Sequence, residues 1–352
     1  MELGGGAYVA ALGVTFAATA VATPMLRRFA LRRAIVDAPD GGRKTQDVAI
    51  PYLGGVGIVA STSLVLIVAA AVSANPATNL ALLLGVLGPA LVLSVVGLVD
   101  DMRGLTPGVR FLAQSAAAVV TAWLMSAAGT RGQLSGIFWV DTAITVLWVV
   151  GVTNALNLLD NMDGLAAGVA GIAGVAYFVI AASNGQYLIA ALALSLTGAC
   201  GGFLVWNRFP ARIYMGDSGA LFIGFMLAAL CVRVQLDDAP RPIALLAPAA
   251  VLLLPVLDTS VVIVSRLRRG VSPFQGGRDH LSHRLQRLGF DVPNAVGRLY
   301  AVAAGAGAIA WVASRVSLVP GLGLLGAAGV AFVWLFVRAL GLERTHPIKE
   351  SS

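Results

Sequence analysis

Six aspartates of this sequence lie at the ends of long apolar segments or inside them, where charge is unusual. They are Asp100, Asp101, Asp160, Asp163, Asp217 and Asp258. The chain has only 17 acidic residues, and an ionisable side chain in an apolar segment is costly unless it pairs or binds a ligand. Grouped carboxylates suit Mg²⁺, which takes oxygen ligands and stabilises phosphate. The pattern therefore predicts metal and phosphate chemistry at a bilayer surface.

The most informative stretch reads TNALNLLDNMDGLAAG. Asn154, Asn157 and Asp160 are spaced by three, which stacks them on one face of a continuing helix. Asp163 follows near a break before Gly164. Carboxamides and carboxylates along one wall can hold hydrated Mg²⁺ and read the edge of a base or sugar. Polar side chains also join membrane helices, but that role does not need five such residues in ten positions.

The four remaining acids of this group also allow alternative interpretations. Asp100 and Asp101 repel each other unless a cation is near, which suits a general base or a metal-linked site, although a solvated helix end is the alternative. Asp217, in MGDSG, is either a helix N-cap or a carboxylate that recruits Mg²⁺ to phosphate. Asp258 needs a partner, either Arg266 or a polar neighbouring helix, and is expected to be structural.

Two basic segments offer phosphate donors. Arg43 and Lys44 follow a glycine- and proline-rich stretch, and a solvated connecting loop is as consistent with them as phosphate binding. In the loop 266–295, His280 and His283 stand among arginines, which suits a diphosphate leaving group. A zinc site is the competing interpretation, but no cysteine or third histidine accompanies this pair.

The elements that must position these residues are membrane spans. The chain is 58% hydrophobic with a mean hydropathy of +0.86, and windows of about 20 apolar residues mark candidate spans. We expect eleven: 5–26, 52–73, 79–99, 108–128, 138–156, 165–183, 187–206, 218–236, 243–265, 296–315 and 319–340. The expected fold is all-α, a single integral membrane domain over 1–352, with 266–295 as a cytoplasmic substrate-binding loop. Cys200 and Cys231 fall inside spans and imply no disulfide.

The basic residues predict the topology. Twenty of the 24 Lys and Arg fall in the segments that follow odd-numbered spans. The positive-inside rule therefore places the N-terminus outside and the C-terminus in the cytoplasm, with the candidate chemistry on the cytoplasmic face. The net charge of +7 fits this topology and anionic headgroups. Nucleic acid is not an expected partner, because the basic segments lack aromatic interleaving.

Together these motifs resemble the polyprenyl-phosphate N-acetylhexosamine-1-phosphate transferases of glycosyltransferase family 4. The resemblance implies transfer of a sugar phosphate from a UDP-N-acetylhexosamine to undecaprenyl or decaprenyl phosphate, with UMP released. The sugar phosphate that we favour is GlcNAc-1-phosphate. The resemblance also implies Mg²⁺, or Mn²⁺ in its place, a homodimer, and a multi-pass location in the bacterial inner membrane.

The resemblance also assigns roles by position. Asp100 and Asp101 match an aspartate pair that deprotonates or orients the lipid phosphate, and Asn157 and Asp217 match metal ligands. The implied nucleotide and sugar wall is Lys44, Asn154, Asp160, Asp163, Gly164 and Leu165. The implied phosphate-binding residues are Arg43, Arg110, His280, His283 and Arg284.

Some alternatives stay open. The chain departs from the family pattern at Ser282, where enterobacterial relatives have histidine, and at Asn161, where many have glycine. The phospho-MurNAc-pentapeptide branch has a run of adjacent histidines that HLSH does not reproduce, so the GlcNAc-type donor is favoured. From another class, an ion-coupled secondary transporter also carries intramembrane acids, but near the midplane and within internal repeats.

Overall fold

The computed structural model describes residues 5–37, 49–73, 75–127 and 135–345, and these are almost entirely helical, as predicted. The helices are α1 Gly5–Arg32, α2 Gly54–Ala71, α3 Pro76–Arg103, α4 Pro107–Ala127, α5 Phe138–Leu159, α6 Leu165–Ala182, α7 Tyr187–Asn207, α8 Gly216–Arg233, α9 Arg241–Ala250, α10 Leu253–Arg268, α11 Leu281–Arg287, α12 Val292–Ala313 and α13 Leu318–Thr345. Between α1 and α2, the short strands β1 (Val36–Asp37) and β2 (Ile50–Pro51) pair antiparallel.

The membrane character of the chain is clear from its helices. Ten of those in the described residues are long and apolar enough to cross a bilayer, and α9 with α10 supplies an eleventh span if the two are counted as one. Large apolar side chains such as Val21, Trp139 and Val330 are exposed on the outside of the bundle, where lipid tails are an equally apolar solvent. The prediction of a polytopic protein with ten or eleven spans is confirmed, whereas the orientation of the termini stays a prediction.

The ninth predicted span, 243–265, is not one continuous helix. It is divided into α9 and α10, which are bent by 70° relative to each other. The break at Val251 and Leu252 has a local cause: Pro255 has no N–H to donate to the carbonyl of Val251, and its ring crowds that carbonyl. The expected continuous helix was wrong here because a hydropathy window does not register where helical hydrogen bonds stop.

Helix α8 lies in the middle of the bundle, in contact with α2, α3, α5 and α6. All of its residues from Ser218 to Leu230 are buried. Its N-terminal end approaches α3 very closely, because a Cβ on Gly97 would overlap the backbone of Asp217. Glycine at position 97 therefore lets the two helix backbones meet at the point where α8 begins.

Strand β2 fixes the segment that leads into α8. The Tyr214 N–H donates to the carbonyl of Pro51 at 2.8 Å, and the Gly54 N–H donates to the carbonyl of Tyr214 at 3.0 Å. The start of α2 and the start of α8 are thus held side by side. The predicted site residues Arg43 and Lys44 lie outside the described residues.

Candidate active site

Four helices bring polar side chains together at the beginning of α8. Arg110 Nη1 of α4 is 2.8 Å from Asp100 Oδ2 of α3 and 3.3 Å from Asp217 Oδ2 of α8. From α5, Asn157 Nδ2 donates to Asp217 Oδ1 at 2.8 Å. One carboxylate, that of Asp217, is therefore held between a guanidinium and a carboxamide, and residues 100, 110, 157 and 217 form a single cluster.

The turn between α3 and α4 explains how Arg110 reaches Asp100. Gly104 ends α3 in a left-handed conformation with φ +66°, which glycine adopts readily. The Asp100 Oδ1 then accepts a hydrogen bond from the Leu105 N–H at 2.6 Å, and α4 begins at Pro107, a favourable first helical residue. The chain therefore reverses within three residues and places Arg110 beside the acid on the preceding helix.

Asp101 has a different partner from its neighbour Asp100. Its Oδ1 accepts from the Asp217 N–H at 3.0 Å, and its Oδ2 accepts from the Ser218 N–H at 3.4 Å. The carboxylate thus caps the positive end of α8 from another helix. A Cβ on Gly216, whose φ is +73°, would lie 2.6 Å from Asp101 Oδ2, so glycine is required at this junction.

The turn that follows α5 forms a second wall beside this cluster. Asp160 ends the helix, and the Asp163 Oδ2 accepts from the Ala211 N–H at 2.8 Å. Gly164, in a left-handed conformation, donates its N–H to Asn207 Oδ1 at 3.0 Å and accepts from the Tyr300 hydroxyl at 2.5 Å. The backbone of the turn is therefore hydrogen bonded to α7 and α12.

Two residues assigned to the nucleotide wall, Leu165 and Asn154, have partners within the protein. Leu165 is fully buried in the hydrophobic core. Asn154 hydrogen bonds with Gln114 of α4, and its Nδ2 also donates to the carbonyl of Val150 at 2.8 Å. The Leu165 side chain therefore contributes packing below the turn, and Asn154 joins α5 to α4. Contacts of these two residues with nucleotide stay predictions.

The turn carries two acids, Asp160 and Asp163, whose charged forms are disfavoured. Burial raises the pKa of Asp160 to about 7, with further contributions from the charges of Asp217 and Asp163. Burial also raises the pKa of Asp163, although the hydrogen bond from Ala211 acts in the opposite direction. A cation placed beside the turn would favour the charged forms of both acids. The electrostatics of this wall therefore suit a site that takes up positive charge.

The Mg²⁺ that the resemblance implies can be tested against these residues. Within the described ranges, no group of three or more His, Cys, Asp or Glu side chains could hold a metal by itself. Mg²⁺ commonly binds through one or two protein oxygens and completes its shell with water and substrate phosphate. The touching side chains of Asp217 and Asn157 supply a carboxylate oxygen and a carboxamide oxygen, so their chemistry fits such an ion.

Asp258 is the expected framework acid, but its partner is not Arg266. Its Oδ2 lies 2.7 Å from His280 Nδ1, and its Oδ1 accepts from the Leu281 N–H at 2.7 Å. Arg266 instead forms a buried two-pronged ion pair with Asp279, with both contacts at 2.8 Å. Two buried acids therefore fix the segment that leads into α11.

The side chain of Arg284 is held inside the protein by two backbone carbonyls. Its side chain is buried, with Nε donating to the carbonyl of Asp279 at 2.8 Å and Nη1 donating to the carbonyl of Ala339 at 2.6 Å. A phosphate contact of Arg284 stays a prediction, and it would require the guanidinium to leave both carbonyls. Arg284 ties α11 to α13.

The two loop histidines have separate environments. His280 is buried against Asp258, whereas His283 is half-buried and its Nδ1 lies 3.1 Å from Gln286 Oε1. Burial is the main cause that lowers the pKa of His283 from its usual 6.5, which favours the neutral imidazole in the protein without substrate. A phosphate beside the ring would act in the opposite direction.

Sequence reasoning missed the pairing of two site residues. Asn161 and Ser282, the two departures from the family pattern, hydrogen bond to each other, with the Ser282 hydroxyl 2.5 Å from Asn161 Oδ1. It also missed Asn207 as the acceptor for Gly164. For Asn207, the available signal was a polar residue at the end of an apolar span. For Asn161 and Ser282, which are 121 positions apart, the sequence has no signal that pairs them.

The sequence of this chain is similar to those of known proteins. A model of glycosyl transferase family 4 matches residues 83–235, which include both walls of the site. A probable undecaprenyl-phosphate N-acetylglucosaminyl 1-phosphate transferase of Bacillus subtilis is 31% identical over 286 residues, covering 80% of this chain and 78% of the relative.

Two other relatives match smaller parts of the chain. A decaprenyl-phosphate N-acetylglucosaminephosphotransferase of Mycobacterium tuberculosis is 37% identical over 159 residues, which are 41% of this chain and 39% of the relative. A phospho-N-acetylmuramoyl-pentapeptide-transferase of Geobacillus thermodenitrificans is 30% identical over 251 residues, which are 65% of this chain and 76% of the relative.

Proposed function

The chain belongs to glycosyl transferase family 4, and we propose that it transfers an N-acetylhexosamine 1-phosphate from a UDP-sugar to a polyprenyl phosphate in the membrane. The donor we favour is UDP-GlcNAc, and the acceptor is undecaprenyl or decaprenyl phosphate. The products are polyprenyl-diphosphate-sugar and UMP. The observation that carries the proposal is the Asp217 carboxylate, held between Arg110 and Asn157 where four helices meet.

The reaction is a displacement at phosphorus. An oxygen of the lipid phosphate forms a bond to the sugar-bearing phosphorus of the donor, and the bond from that phosphorus to the bridging oxygen breaks. UMP leaves with the bridging oxygen. Such a reaction depends mainly on positioning and on neutralising charge, and the described cluster has groups suited to both tasks.

The chain's own residues have distinct proposed tasks. Asp100 and Asp101 orient the lipid phosphate, and Arg110, which already contacts two carboxylates, neutralises the charge of an incoming phosphate. Asp160 and Asp163 form the nucleotide wall. Arg43, His280 and His283 are further proposed phosphate contacts, and Lys44 a contact of the donor.

Mg²⁺ is a proposed cofactor, held by Asp217 and Asn157. When bound, it would neutralise charge on the donor diphosphate. The hydrogen bond between these two side chains supports the proposal, because it holds them next to each other.

The proposed location is the bacterial inner membrane, with the site on the cytoplasmic face and a homodimer as the working assembly. The distribution of Lys and Arg supports this orientation. It also fits the substrates, because a UDP-sugar is soluble and reaches the acceptor from the cytoplasm.

The test is UMP release by the purified protein with undecaprenyl phosphate and Mg²⁺, against a panel of UDP-sugars. We expect release with UDP-GlcNAc and much less with UDP-MurNAc-pentapeptide. The reverse preference would place the chain in the branch of its Geobacillus relative. No release from any donor, together with solute flux in vesicles, would favour a carrier and overturn the proposal. A trapped phosphoryl group on Asp100 or Asp101 would overturn the single displacement.

A further inference from the structure

The helix α11 is anchored to its surroundings on three sides. At its beginning, the Asp258 carboxylate of α10 holds the Leu281 N–H and the His280 ring. On the side of α13, Arg284 donates to the carbonyl of Ala339. These two anchors fix α11 to helices outside the candidate site. The third anchor, through Ser282, connects it to the turn after α5.

The third anchor is buried and short. Ser282 has no exposed surface, and its hydroxyl donates to Asn161 Oδ1 at 2.5 Å. Asn161 in turn donates through Nδ2 to the carbonyl of Leu158 at 2.8 Å, at the last turn of α5. Hydrogen bonds therefore connect α11 through Asn161 to the end of α5. In the sequence, Asp160 lies between Leu158 and Asn161, the two residues joined by the last of these bonds.

This path spans the space between two groups of proposed donor contacts. In the sequence, Asp160 and Asp163 flank Asn161, and His280 and His283 flank Ser282. Both segments also contact α12, and this hydrogen bond is a direct polar link between them. A buried hydroxyl that lost its acceptor would also be costly, which keeps the bond closed.

We propose that Ser282 and Asn161 are a positioning pair of the donor site, whose hydrogen bond sets the spacing between α11 and the turn after α5 and so determines how tightly a nucleotide-sugar is held. The inference rests on the proposed function. It distinguishes the donor from the acceptor, because the Arg110 cluster proposed for the lipid phosphate, built on α3, α4, α5 and α8, contains neither residue of the pair.

The experiment measures KM for UDP-GlcNAc and for undecaprenyl phosphate separately in Ser282→Ala, Asn161→Ala and the double variant. Loss of one hydrogen bond predicts a rise of about 3- to 10-fold in the donor KM, with the acceptor KM unchanged. The double variant is expected to resemble Ser282→Ala more than the product of the two single effects, because both changes break the same bond.

A matched control separates position from general destabilisation. Ser61→Ala removes another buried serine hydroxyl, one that bonds within α2 and to Thr19, and is expected to lower the unfolding temperature without changing the donor KM. Thermal unfolding of the same variants, without substrate, shows whether positions 161 and 282 are coupled even if turnover is low.

The outcomes are distinct. A rise of the donor KM alone, with coupling in unfolding, supports the pair, and a rise of the acceptor KM alone would overturn it. Equal changes in both KM values, or an unchanged donor KM in Ser282→Ala with normal wild-type turnover, would overturn the positioning role while leaving the proposed function intact. Absence of UMP release by the wild type would overturn the proposed function and the donor role together, and coupled unfolding would then leave the bond as a purely structural link.

Discussion

The carboxylate of Asp101 accepts a hydrogen bond from the backbone N–H of Asp217, 116 positions later in the chain, at 3.0 Å. The acid on α3 thereby caps the helix that carries the central carboxylate of the site. Its neighbour Asp100 contacts Arg110 on the other side. Two adjacent aspartates thus serve two different helices, and substitutions can separate their structural and chemical contributions.

Asp101→Ala is expected to lower the free energy of unfolding by about 0.5–2 kcal/mol, the usual cost of losing an N-cap. Asp101→Asn keeps one acceptor oxygen and should lose less. The measurement is thermal unfolding in detergent, with UMP release assayed in parallel. Asp291→Ala is the matched control, because Asp291 caps α12 by accepting from the Asn294 N–H at 2.9 Å.

The control variant should lose comparable stability and keep its turnover, whereas Asp101→Ala should lose both. Equal turnover in the two variants would mean that the cap on α8 has no importance beyond stability.

Asp217→Asn is expected to abolish Mg²⁺-dependent turnover. The change preserves the shape of the side chain but removes the charge that binds Arg110 and would bind a metal. Loss of a direct metal ligand should reduce activity by more than the roughly 10- to 100-fold that is typical for loss of a residue that only supports a ligand. The measurement is UMP release as a function of Mg²⁺ concentration. Asp237→Asn, on an exposed turn after α8, serves as the control. Unchanged activity of Asp217→Asn at any Mg²⁺ concentration would refute the metal role.

Asp279→Asn is expected to destabilise the protein by about 3–5 kcal/mol at pH 7, because it leaves the buried Arg266 without its counter-charge. The pH dependence follows from the pKa of Asp279. Burial alone would raise it, but the hydrogen bonds and charge of Arg266 lower it on balance.

Because the unfolded chain takes up this proton at a higher pH than the folded protein, the ion pair stabilises the fold above the ordinary pKa of 3.8. That contribution is lost as the pH falls below this value. The unfolding temperatures of wild type and variant should therefore converge on acidification. Asp238→Asn, at an exposed position, should follow the wild type, and a gap that stays constant with pH would contradict the assignment.

Gln275→Cys and Asp237→Cys are expected to react with a membrane-impermeant maleimide from opposite sides of the membrane. Gln275 is exposed in the basic loop before α11, which the positive-inside rule places in the cytoplasm. Labelling in right-side-out and inverted vesicles measures the orientation, with the parent protein as the control for Cys200 and Cys231. Labelling of Gln275→Cys from outside would reverse the proposed topology.

Much of the site was accessible from the sequence because its signals are local. The spacing of Asn157 and Asp160 and the break at Gly164 follow from helical periodicity over one short stretch. Asp217 could be placed at a helix start because an apolar run follows it. These inferences need only the regular geometry of a single helix.

Other parts depend on contacts between distant segments. Arg284 and His283 have similar surroundings in the sequence, yet one is buried against carbonyls and the other is half-buried beside Gln286. A polar or charged residue in a loop has no sequence signal for the direction of its side chain. For this reason the sequence left two possible partners open for Asp258, and only the structure shows that it contacts His280 while Arg266, on the same helix, pairs with Asp279.

By itself, the sequence determined the class of fold, the spans and the positions of the acids, because hydrophobicity and helical period are properties of consecutive residues. Only the tertiary structure decided which acid each cation contacts, that Asp101 caps α8, and that Asn161 and Ser282 meet. Those outcomes depend on how helices pack. At Gly97 the backbone of α3 meets that of Asp217, and at Gly216 the backbone of α8 meets the Asp101 carboxylate, so only a glycine fits at either point.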